Sequence, residues 1–206
     1  MTRFALPAAL LAFAVAWQPL AAQDADPSVT AITNTVTESA GRISTAFEAF
    51  TSAMDSANVE DAAVQALDQM LEAVRGVNAD LGRDSEAWAK LEELIASWSK
   101  KRDDLLEKSR DNPALAEVAE LWQDKLDRIG ELKLSILDQA ADSELLVEEI
   151  EDKREVIIAY MEVDSIDQVM AAMETMNAEL TAMNDSMRTI LEQTAGLDET
   201  DDEIEQ

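Results

Sequence analysis

The sequence predicts an all-α protein: an elongated antiparallel coiled-coil bundle of about five helices, organised on one long helix at about 113–161. Three observations carry this. Stepping by sevens from Leu115 meets Leu115, Trp122, Ile129, Ile136, Ser143, Ile150 and Ile157, apolar in six of seven places. The companion series three residues on is Val118, Lys125, Leu132, Gln139, Leu146, Lys153 and Tyr160. A seven-residue repeat held in one phase implies a single helix with a continuous seam. Second, Pro113 is the only proline after Pro27 and glycine is scarce, so little interrupts helix elsewhere. Third, the chain has no cysteine, so its stability must come from packing.

Residues 1–22 read as a cleaved export signal. Arg3 supplies the charge, an apolar run extends from Ala5 to Trp17, and Leu20-Ala21-Ala22 offers small residues for cleavage. Residues 23–196 then form the helical domain. The first helix begins near Pro27 and carries the stripe Val29, Ile32, Val36, Ala40, Ile43, Phe47, Phe50 and Met54. Asp55 to Asn58 reads as a turn, with Asn58 as the next N-cap. The second helix, about 59–81, has the stripe Ala63, Leu67, Met70, Val74, Val77 and Leu81, and Gly82 ends it. Asp84 or Ser85 caps the third, whose stripe is Trp88, Leu91, Ile95, Trp98, Arg102 and Leu105.

Asp111-Asn112-Pro113 makes a tight reversal, with Asn112 as N-cap and Pro113 as first helical residue. A turn there makes facing residue numbers add to about 223. Trp88 then meets Ile136, Leu91 meets Leu132, and Leu105 meets Val118. The long helix has two weak points: Gly130, and the polar Asp142-Ser143-Glu144, where a kink could form. Ser165 and Gln168 match a capping box opening the fifth helix. Its stripe is Ile166, Met170, Met173, Met176, Leu180, Met183, Met187 and Ile190, and Gly196 stops it. Facing numbers across this second turn add to about 327, pairing Leu180 with Val147. Helix three thus covers the first half of the rod and helix five the second, their inner ends meeting near Ile136. Residues 197–206 are six-tenths acidic and read as a disordered tail.

The residue inventory narrows the function. The chain lacks His and Cys, which removes the usual general base, the thiolate nucleophile and the commonest zinc ligands. No phosphate loop, nucleophile elbow or dinucleotide fingerprint occurs. The expectation is therefore no enzyme, no catalytic residues and no cofactor. The whole chain carries 44 acidic against 16 basic residues, a formal charge of −28, which disfavours nucleic acid and anionic lipid. No later run reaches membrane length, so no membrane insertion of the mature chain is expected.

The expected role is an exported scaffold or protein–protein interaction module of the bacterial envelope, in the periplasm, binding another envelope protein or itself. Two alternatives rest on methionine. Six of nine Met residues lie between Met161 and Met187. Met170, Met173 and Met176 could gather thioethers for copper(I). An exposed Met face could instead bind clients, as in a periplasmic holdase. A compliant packing stripe explains the same spacing. Charge is also uneven: ten basic residues fall between Arg83 and Lys133, and the rod's other half carries Glu144, Glu148, Glu149, Glu151 and Asp152.

Overall fold

The computed structural model describes residues 27–54, 59–163 and 165–204. Five helices follow one another: α1 Pro27–Met54, α2 Val59–Leu81, α3 Glu86–Lys108, α4 Ala114–Glu162 and α5 Ile166–Ile204. The signal assigned to 1–22 and the turn at 55–58 lie outside the described residues. Among the described residues no helix is long and apolar enough to cross a membrane.

The seven-residue stripe is the buried face of α4. Trp122, Ile129, Ile136, Ser143, Ile150 and Ile157 are buried, as are Lys125, Leu132, Gln139 and Leu146 from the companion series. The helix runs unbroken for 49 residues, about 74 Å. Asp142-Ser143-Glu144 does not interrupt it. The Ser143 hydroxyl turns back and donates to the Ala140 carbonyl at 2.7 Å, which satisfies the polar group inside its own helix. A Cβ at Gly130 would meet nothing within 4 Å, so the glycine there answers no steric demand.

Cross-helix pairs fix the arrangement around α4. On its first half, Lys133 pairs with Glu92 at 3.2 Å, and Arg102 donates to Gln123 at 2.7 Å. On its second half, Arg154 pairs with Asp68 at 2.8 Å, and Arg75 pairs with Glu151. In all four pairs the residue numbers add to values near 223. The α3–α4 register therefore continues into α2. α2 and α3 lie end to end along one long helix, like a single antiparallel partner broken once.

That break is residues 82–85. Ser85 caps α3, its hydroxyl accepting the Trp88 N–H at 3.1 Å, as expected of that serine. Gly82 closes α2 by donating its N–H to the Asn78 carbonyl at 2.8 Å. α1 packs on α2 and α5, and those two pack on α4, so α1, α2, the second half of α4 and α5 form a ring of four. Where the α1–α2 seam nears the break, Ser39 donates to Asp80 at 3.0 Å, and Arg42 pairs with the same carboxylate. Surface ion pairs of this kind contribute little stability; buried side chains such as Phe50, Leu67, Ile150 and Leu180 hold the ring together.

Several boundaries differ from expectation. Asn112 is not the cap of α4: Pro113 precedes the helix in helical φ,ψ with no side-chain cap, and Asn112 contributes its carbonyl to the Leu115 N–H. α5 buries Val169 and leaves Met170 half-buried and Ile166 exposed. Counting back from Met173, the geometry takes a four-residue step to Val169 where the expected stripe took three. Gly196 does not stop α5, which continues to Ile204 with Leu197 buried, so the tail expected at 197–206 is helical through 204. The inner end of α5 accordingly does not stop near Ile136. α5 passes beyond it, and Arg128 reaches the Gly196 carbonyl at 3.2 Å.

Candidate functional site

The methionines singled out from sequence sit in different environments. Met173 and Met176 are fully buried in the α5 seam beside Met183 and Met187, while Met170 is half-buried. The last three core places before Ile190 are Leu180, Met183 and Met187, on the same face as Val169. This is the placement of a packing stripe, in which flexible thioethers fill the space between irregularly sized neighbours. Among the described residues, no group of three or more Asp or Glu side chains is arranged to hold a metal ion.

Two other places combine polar groups with unusual surroundings. The first is at the root of the α3–α4 hairpin. Trp98 and Trp122 approach edge to face, with ring centroids 6.1 Å apart. Lys125, buried to 1% exposure, holds its ammonium 4.3 Å from the Trp98 centroid and 5.3 Å from that of Trp122. Lys101 holds its ammonium 4.2 Å from the Trp122 centroid. The rings' π-faces attract these cations, so a lysine in a stripe position is accommodated without breaking the helix. The sequence placed Lys125 on the stripe, but only the packing reveals the aromatic box.

Beyond this root the hairpin changes character. From Ser99 to Val118 no side chain is buried. Leu105, Leu115 and Val118 are half-buried, and Leu106 is 47% exposed. Two helices facing only each other cannot seclude a seam that three or four would enclose. The tip is therefore an arm in which Leu105 and Val118 pack only partly into the seam and Leu106 faces outward.

The second place is a groove of about 270 Å³ between α4 and α5, lined by Gln139, Asp142, Leu145, Leu146, Glu149, Glu179, Ala182, Met183 and Ser186. Gln139 is 1% exposed, and neither atom of its amide has a hydrogen-bond partner. Such a group is costly in a core, because water bonds are lost without replacement. Glu179 Oε2 is likewise enclosed and unpaired. Burial first, then the facing Glu149 carboxylate, by its charge and by accepting a hydrogen bond from the protonated Glu179 carboxyl, pushes the Glu179 pKa up from the ordinary carboxylate range, and Lys153 partly offsets this. Lys153 itself pairs with Glu149 at 3.7 Å on its own helix.

A carboxyl with a raised folded pKa favours folding at low pH, and that advantage is lost as pH rises through the raised value. Glu179→Gln is therefore expected to raise the melting temperature at neutral pH. The gain should fade as pH falls towards about 4. A scan of melting temperature against pH checks this; a gain that persists unchanged into acid would refute the electrostatic cause.

Sequence reasoning missed the groove. Gln139 looked like one polar interruption of the seam, and Glu149 and Glu179 were two acids among many. The pairing rule near 327 does bring residues 149 and 179 together, but it does not show which side of the seam stays open. Comparison of the chain with protein-family models, with curated proteins and with solved structures finds no match.

Proposed function

We propose that this chain is an exported, non-enzymatic protein-interaction module of the bacterial cell envelope, and that the α3–α4 arm is its partner-binding element. The observation behind this reading is the arm itself: twenty consecutive positions without one buried side chain, yet bearing Leu105, Leu106, Leu115 and Val118. Exposed Leu106 and half-buried Leu115 on a hairpin standing outside the ring suit a helix-in-groove or helix-on-helix contact with another protein. The arm carries five basic residues, Lys100, Lys101, Arg102, Lys108 and Arg110, and five acidic ones, Asp103, Asp104, Glu107, Asp111 and Glu117, so contact would be specified by mixed charge around the leucines. The export signal and the absence of His and Cys support the location and the non-catalytic role.

A photo-reactive residue at Leu106 is expected to give a discrete cross-linked species in intact envelopes, and one at Glu48, exposed on α1, is not. Leu115→Asp should abolish that species while circular dichroism still reports a folded bundle. Adducts of equal yield from both probe positions, or none from Leu106, would overturn the proposal. A product of twice the chain mass would identify the partner as a second copy.

A further inference from the structure

The α4–α5 groove lies apart from the arm and carries its own chemistry. Its polar groups do not converge on one point. Gln139 and Glu149 are ten residues apart on α4, about 15 Å along the helix. Asp142 and Ser186 stand near the Gln139 end, and Glu179 faces Glu149 at the other. Between them the floor is apolar: Leu145, Leu146, Ala182 and Met183. Leu145 is 66% exposed, so this stretch is open at the surface.

The unmet groups are the Glu179 Oε2 acceptor at one end and, at the other, both the Oε1 acceptor and the Nε2 donor of Gln139. Glu179 Oε2 is enclosed and unpaired beside a second carboxylate, and Gln139 Oε1 is enclosed and unpaired next to Asp142 in sequence register. A positive donor at each end would supply bonds and relieve like-charge repulsion. A methylene chain joining the donors would cover the leucine and methionine floor. A compact metal ion satisfies one end at most, because the acceptors are spread along the helix.

We propose that this groove binds a linear aliphatic polyamine, with one ammonium between Glu149 and Glu179, another at Asp142 and Gln139, and the methylene chain over Leu145, Leu146 and Met183. The Gln139 amide, which the fold leaves without a partner, is then a positioning group for the ligand.

The test is titration calorimetry of the folded chain with spermidine at moderate salt, with magnesium as comparison. One saturable spermidine site per chain is expected, with affinity falling about tenfold or more in Asp142→Asn and in Glu179→Gln, the scale of a lost charged hydrogen bond. Glu48→Gln removes the same charge from the exposed face of α1 and should leave binding unchanged. Gln139→Leu is expected to weaken spermidine while melting no lower than the parent, since it removes an unsatisfied amide from the core. If Gln139→Leu fails to fold, the comparison of Asp142→Asn with Glu48→Gln decides. An equal loss in Asp142→Asn and Glu48→Gln would mean diffuse attraction to an acidic protein and would overturn the proposal. So would magnesium binding as tightly as spermidine, or folded Gln139→Leu binding like the parent.

Discussion

Ile150→Ala is expected to cost about 2–5 kcal/mol, because a fully enclosed isoleucine loses its transfer energy and leaves a hole that a ring of four helices cannot close. The same kind of truncation in the arm, Leu105→Ala, is expected to cost less, about 1–2 kcal/mol, since that side chain is only partly removed from water. Both residues occupy stripe positions that look alike in the sequence. Equilibrium denaturation in urea separates them: a large shift of midpoint for Ile150→Ala and a small one for Leu105→Ala. Comparable losses would mean that the arm is covered in solution, and the partner-binding reading would lose its surface. The contrast therefore tests the architecture and the proposed function together.

Gly82→Ala is expected to destabilise by about 1–3 kcal/mol, the upper range for a single substitution, because it creates a clash with the backbone. A Cβ at this position would fall 2.6 Å from the Asn78 carbonyl oxygen, and that atom is backbone, so relief requires moving the end of α2. The movement matters because α2 and α3 share one register along α4. Shifting the joint would disturb the Asp80 contacts with Ser39 and Arg42 on one side and the Ser85 cap on the other. Gly130→Ala serves as the opposite case. Nothing lies within 4 Å of its Cβ, and it sits inside a long helix, so a gain of up to about 1 kcal/mol is expected. Thermal melts of the two variants should move in opposite directions. If Gly82→Ala were as benign as Gly130→Ala, the joint would not be constraining the register.

Much of this fold is written in the order of residues. The α2 stripe is buried at all six expected places, from Ala63 to Leu81. The α4 repeat keeps one phase from Trp122 to Ile157, and Ser85 caps where expected. These succeed because helix periodicity and capping are local: the period of apolar residues and one side-chain oxygen decide them. The pairing numbers near 223 and 327 also follow, since a short turn leaves two helices no freedom to slide. Failures occurred at the Asn112 cap, where Pro113 takes the cap position without a side-chain bond, and where a choice among apolar neighbours depends on a third helix. At the start of α5, Val169 and Met170 both fit a helical stripe. Past Gly196, burial of Leu197 against the bundle outweighs the weak helix propensity of one glycine.

The residues alone determined the helical class, the unbroken central helix, the acidic charge and the absence of histidine and cysteine chemistry. Tertiary structure decided which stripes are covered: that α2 and α3 share one register, that the arm beyond Trp98 stands outside the ring, and that Gln139 is enclosed without a partner. The division has one physical cause. Periodicity along a chain specifies which face of a helix seeks burial, but only the number of neighbours around that face determines whether it is buried.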